Sequence, residues 1–137
     1  MRRMSGRFLD TNIVLYMLDD GPTRDLASGI IARGGTISVQ MLNDALVDCR
    51  RKAGVTWEEA AEFLGGIREI CAVVSLSPDI HDIGRAVGAR YSFSVYDVMI
   101  VAATLAHGCS RLLSEDMQDG LEIEGALTIE NPFRALG

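Results

Sequence analysis

The sequence predicts an α/β domain of three layers, with a mainly parallel central sheet and helices on both faces. Short apolar strands alternate with helical segments along its whole length, as crossover connections between parallel strands require. The segment from about Val95 to His107 is apolar nearly all round (Val98, Met99, Ile100, Val101, Leu105), and a helix without a polar face belongs between layers. The 137 residues, 48% apolar with three Pro, suffice for one domain with a real core. No linker, repeat or low-complexity stretch divides them, so residues 1–137 read as a single domain.

Arg7-Phe8-Leu9 is a short strand with Asp10-Thr11-Asn12 at its end, and Ile13 to Leu18 is a helix with a dense apolar patch. The turn Asp19-Asp20-Gly21-Pro22 leads to a second helix, Thr23 to Arg33, stopped by Gly34-Gly35. Thr36-Ile37-Ser38 is a strand, and Ser38 caps a helix from Val39 to Lys52. Thr56-Trp57-Glu58-Glu59 is a capping box that opens a helix to about Ile70. The strand Ala72–Leu76 follows. Ser77-Pro78 then starts a helix running to about Tyr91, with Pro at its first position. The apolar helix, a strand at Arg111–Leu113 and a last strand at Leu127–Ile129 complete the chain.

Composition narrows the class. No apolar run is long enough to span a bilayer. Met1-Arg2-Arg3 is followed by no signal-type apolar core, so a cytoplasmic protein is expected. Cys49, Cys71 and Cys109 are odd in number, without C-x-x-C spacing, which suits buried reduced thiols rather than disulfides or a zinc site. The net charge is −6, from 13 basic and 19 acidic residues. An acidic total argues against non-specific nucleic-acid binding. Setting aside four acids as cation ligands, however, leaves 15 against 13, so a metal-dependent nuclease is not excluded.

In a parallel sheet, ligands collect beyond the carboxyl ends of the strands. Asp10 follows the first strand and Asp116 follows Arg111–Leu113, which puts both on that rim. Asp97 stands in the first turn of the apolar helix, and such helices can begin near a rim. Oxygen ligands without matching His or Cys suit Mg²⁺ or Mn²⁺. Each acid also has a plainer reading. Asp10 can cap the helix after it. Asp97 can be the acid of a Ser94-x-x-Asp97 capping box. Glu115, Asp116 and Asp119 can be solvated loop residues, Arg50-Arg51-Lys52 a helix terminus, and His81 and His107 show no ligand spacing. Asp44 and Asp48 share one helix face. They point well away from the apolar centre at Leu42, Ala45, Leu46 and Cys49, so the helical wheel permits a site on that flank but favours solvent exposure.

Four segments in order carry a resemblance that covers nearly the whole chain. They are Phe8-Leu9-Asp10-Thr11-Asn12, Ile37-Ser38-Val39-Gln40-Met41-Leu42-Asn43-Asp44, and Ser94 to Ala103 followed by Leu112 to Gly120. With these spacings the chain resembles the PIN-domain ribonucleases, in particular the VapC-type toxins of bacterial toxin–antitoxin pairs. The resemblance implies an endoribonuclease that hydrolyses single-stranded or loop RNA with a metal-activated water, leaving a 5′-phosphate and a 3′-hydroxyl. It makes Asp10, Asp97 and Asp116 ligands of Mg²⁺ (or Mn²⁺), and Asn12 and Ser114 groups that orient them. Asp119 matches a further acid near the site. Asp44 falls where the family usually has Glu, one methylene longer, and is read as a catalytic residue that binds or orients the attacking water; Asp48, one turn on, can compensate. Arg50, Arg51, Lys52, Arg85 and Arg90 are candidates for guiding the RNA. A homodimer and an antitoxin partner are implied, with the helices after Asp10 and around Thr23–Arg33 as expected docking surfaces. Two alternatives remain. One is a PIN-like module that binds RNA or a protein without efficient turnover. The other is a metal-dependent phosphotransfer domain, which needs a DxD-type nucleophile where this chain has Asp10-Thr11-Asn12.

Overall fold

The computed structural model describes residues 6–52 and 54–134; the basic Met1-Arg2-Arg3 segment lies outside them. Six strands form one sheet in the order β3-β2-β1-β4-β6-β5: β1 (Arg7–Leu9), β2 (Thr36–Ser38), β3 (Ala72–Val74), β4 (Arg111–Leu113), β5 (Glu122–Ile123) and β6 (Leu127–Glu130). Every pairing is parallel except β5 with β6. Among the described residues six α-helices cover it: α1 (Thr11–Leu15), α2 (Gly21–Ala32), α3 (Val39–Arg51), α4 (Trp57–Ile70), α5 (Pro78–Gly88) and α6 (Val95–Ala106). This is the three-layer α/β/α arrangement expected from the alternation.

The pleat sends successive strand residues to opposite faces. Phe8, Leu112 and Ile129 join α5 and α6 in one core, while Leu9, Ile37 and Leu113 join α1 to α4 in the other. The apolar α6 is buried as its composition demands, and α5 approaches it closely enough that a Cβ on Gly84 would stand 2.8 Å from Met99. Cys49, Cys71 and Cys109 are buried free thiols. Among the described residues no helix is long and apolar enough to cross a membrane.

Several boundaries differ from the expectation. The helix expected over Ile13–Leu18 is α1 followed by a 3₁₀ turn at Tyr16–Leu18. Helix α2 begins at Gly21, with Pro22 in its first turn. Strand β3 stops at Val74, not Leu76, because its partner β2 ends where Ser38 becomes the cap of α3. Helix α5 ends at Gly88, with Ala89 as its cap still in the right-handed helical region and the Tyr91 N–H still reaching the Val87 carbonyl. The edge strand β5 was not expected. It has two residues, joined to β6 through Glu124 and Gly125, both at positive φ, and carries no alternation long enough to read.

The topology fixes where a ligand can bind. From β1 the chain proceeds to β2 and β3 on one side, then returns to β4 on the other. Between β1 and β4 the strand order reverses, and the crevice beyond their carboxyl ends is the ligand site of an open α/β sheet. Leu9 pairs with Leu113, and the Asp10 N–H continues the ladder to the Leu113 carbonyl at 3.0 Å.

Candidate active site

Asp10 is the first residue past β1. It caps α1, its carboxylate accepting from the Thr11 N–H at 2.7 Å. The same carboxylate accepts from the Ser114 hydroxyl at 2.8 Å. Capping and site placement are therefore not alternatives at Asp10. Ser114 is fully buried and also accepts from the Asp116 N–H at 3.2 Å. Asn12, on the first turn of α1, donates its side-chain amide to Asp116 at 2.6 Å. Ser114 and Asn12 thus tie the acid after β1 to the acid after β4.

Asp97 enters from α6. Ser94 caps that helix through the Asp97 N–H at 3.0 Å, and the Asp97 carboxylate borders the crevice. From the opposite side, α3 presents Asp44 and Asp48. Both are half-buried and line the crevice, so the solvent exposure favoured by the wheel is corrected. The flank of α3 faces α1 across the crevice instead of open water. Asp10, Asp44, Asp97 and Asp116 therefore border one cleft of about 410 Å³, with Arg51 at its edge.

The electrostatics follow from crowding. Burial pushes the Asp10 carboxyl above its ordinary range, and the charges of Asp97 and Asp116 push the same way; the Ser114 and Thr11 hydrogen bonds pull it back. Burial likewise raises Asp97, with Asp116 adding to it and Ser94 opposing. Carboxylates held ionised against such terms favour a counter-charge, and an all-oxygen donor set suits a hard cation. Among the described residues, no three His, Cys, Asp or Glu side chains converge tightly enough to enclose an ion. Two of the acids are turned onto neutral donors, Asp116 onto Asn12 and Asp44 onto Tyr96.

Tyr96 was not anticipated. Its hydroxyl donates to Asp44 and lies 3.2 Å from the Thr11 hydroxyl. With that proton committed, Thr11 is the donor to Tyr96. Gln40 donates to the other Asp44 oxygen at 3.1 Å. Both oxygens of the shorter acid are thus held, and burial with the Asp44 contact pushes the Tyr96 phenol up to about 12. The only sequence signal was an aromatic residue beside Asp97; its partners are 52 and 85 residues away. Tyr16, bonded to Glu115, forms a second unanticipated link, between the 3₁₀ turn after α1 and the loop after β4.

Other expected site residues lie elsewhere. Asp119 accepts from the Asn131 N–H at 2.8 Å and from Arg134 at 2.6 Å, and does not border the cleft. Of the five basic candidates, Arg51 alone lines it. Arg50 stacks over Trp57, 4.7 Å from the ring centre, and donates to the Val55 carbonyl. Lys52 lines a neighbouring hollow with Glu115 and Tyr16. Arg85 pairs loosely with Asp82 on the exposed face of α5, and Arg90 is bound to Glu124 at 2.6 Å.

A family model, PIN domain, matches residues 7–118. This chain belongs to the PIN domain family. Solved structures share the fold of this PIN domain. A toxin–antitoxin complex from Klebsiella pneumoniae aligns with a TM-score of 0.70 at 17% identity, over 92% of this chain and 97% of that one. VapC20 of Mycobacterium tuberculosis, described as a sarcin-ricin loop cleaving toxin, aligns at 0.62 and 17% identity, over 80% and 89%. VapBC2 of Rickettsia felis, bound to a promoter DNA fragment, aligns at 0.65 and 14% identity, over 96% and 98%. No curated protein matches by sequence.

Proposed function

We propose that this PIN domain is a divalent-metal-dependent endoribonuclease, the toxin of a toxin–antitoxin pair. The observation that carries the reading is the convergence of four acids, from four separate segments, on the crevice between β1 and β4. Asp10, Asp97 and Asp116 would hold Mg²⁺ or Mn²⁺, with Ser114 and Asn12 orienting the first and last of them. When bound, the metal supplies a hydroxide-like water and stabilises charge on the phosphoryl oxygens. Asp44 is seated by Tyr96 and Gln40 beside this set, where it can take the proton of an attacking water. The solved relatives include toxin–antitoxin complexes, which supports an antitoxin partner that covers the cleft. The exposed apolar side chains Val95 and Leu76, next to Tyr96, support a second copy of the chain against that face. The protein is proposed to act in the cytoplasm.

The test is cleavage of structured RNAs by purified protein with Mg²⁺ or Mn²⁺. Cleavage is expected to stop with EDTA and in Asp10→Asn and Asp97→Asn; cleavage indifferent to both would sink the metal mechanism. A second reading, a PIN module with weakened turnover, is favoured by Asp44 being engaged at both oxygens where the family pattern has Glu. Asp44→Glu decides between them. A large gain in rate identifies a weakened site, and an unchanged rate shows that Asp suffices.

A further inference from the structure

Beside the carboxylate cleft lies a second hollow of about 380 Å³, and Asp97 and Asp116 border both. We propose that this second hollow binds a nucleobase of the RNA strand, next to the phosphate that lies at the acids. The assignment rests on the nuclease reading for its source of the base.

The hollow has the chemistry of a base. Its floor is apolar and aromatic: Tyr91 and Phe93, tilted 35° to each other with ring centres 6.1 Å apart, and Leu121, all packed on the core. Its rim is polar, with Ser92, Ser94 and Gln118. A flat ring with hydrogen-bonding edges matches an aromatic floor under hydroxyl and amide groups, which is how proteins read unstacked bases of single-stranded RNA. The floor is anchored, because the Tyr91 hydroxyl accepts from the Glu124 N–H at 3.2 Å.

The scarcity of basic side chains gives such a site a role. RNA-binding proteins usually gain affinity from basic side chains on phosphates. Here the cleft is bordered by five acids and one Arg, Arg51. At the second hollow Arg90 is engaged by Glu124. With Arg51 the one basic side chain lining the cleft, stacking on Tyr91 and Phe93 would add attraction that cationic side chains do not supply there. A base seated there also selects which linkage reaches Asp97 and Asp116, so the hollow determines sequence preference.

The test is an NMR titration of the full chain, without added metal, with the four nucleoside 5′-monophosphates. Amide shifts are expected over residues 90–94 and 117–121, with one base bound more tightly than the others. Phe93→Leu, which keeps apolar volume against the core, and Gln118→Ala, on the rim, are each read by the same titration and by RNA cleavage. Phe93→Leu should weaken nucleotide binding roughly tenfold, within the range of one lost base–aromatic stack, and raise KM with kcat retained. Shifts confined to other surfaces, or both variants binding as the parent does, would overturn the site. RNA cleavage with unaltered KM in both variants also overturns it while leaving the nuclease reading intact. Nucleotide binding at the hollow by a chain that cleaves no RNA supports the base site and removes the nuclease reading.

Discussion

Helices α4 and α6 both open on a hydroxyl cap followed three residues later by an acid, Thr56 with Glu59 and Ser94 with Asp97. In α4 the box closes in both directions: the Thr56 oxygen accepts from the Glu59 N–H and the Glu59 carboxylate accepts from the Thr56 N–H, each at 3.0 Å. Those bonds hold Glu59 below the usual carboxylate range. In α6 the Ser94 hydroxyl takes the Asp97 N–H, but the carboxylate faces the cleft and is pushed upward by burial and by Asp116. One pattern serves local stability at the surface and a charged site at the sheet rim. The neighbours make the difference, since α4 begins in solvent and α6 begins beside β4's loop.

That contrast can be broken by substitution. Asp97→Asn is expected to lower RNA cleavage by at least ~100-fold, as loss of a charge-stabilising group does, whereas Glu59→Gln leaves it unchanged. Equal losses in a rate assay would erase the distinction. Asp10 belongs with Asp97: a cap residue whose acid faces the cleft, with a folded pKa raised above its ordinary 3.8. A raised acid favours its protonated form, so its folding contribution is full below 3.8 and is lost as pH rises through the folded value. Asp10→Asn should therefore gain thermal stability relative to the parent as pH rises through that window, in metal-free buffer. A gap that shrinks with rising pH would contradict the assignment. Thr56→Ala should cost about 1 kcal/mol in urea unfolding, the usual loss for a hydroxyl cap, with cleavage retained. The smallest expected effect is the coupling of Tyr96 and Asp44. A cycle of Tyr96→Phe and Asp44→Asn should show about 0.5 kcal/mol of non-additivity in stability, the low end for side chains in contact, because Tyr96 is 44% exposed. Strict additivity would show that the hydroxyl does not hold Asp44.

The sheet and its crossovers were legible because the buried strands are short and mostly apolar and every helix but α2 carries a side-chain cap. Ser38, Thr56, Ser77 and Ser94 all cap as their positions suggested. The two acids after β1 and β4 were legible because strand ends point at a rim. What remained hidden depends on partners distant in sequence. Asp44 and Asp48 face the cleft only because α3 packs against α1, which no single-helix wheel contains. Tyr96 acquires its role from Thr11 and Asp44, and Asp119 is drawn off by Asn131 and Arg134. Basic residues are the least legible, since long side chains reach whichever partner is near: Trp57 for Arg50, Glu124 for Arg90.

The pairing of β1 with β4 has a consequence for how the protein is made. Asp10 accepts from Ser114, 104 residues further along the chain, and Ser114 in turn accepts from the Asp116 N–H. During synthesis the first acid leaves the ribosome long before the last, and β1 waits for its central neighbour until Leu113 has emerged. A chain truncated before that point lacks Ser114 and Asp116 and cannot close the cleft. A growing chain of this topology therefore has no closed cleft until Asp116 has emerged.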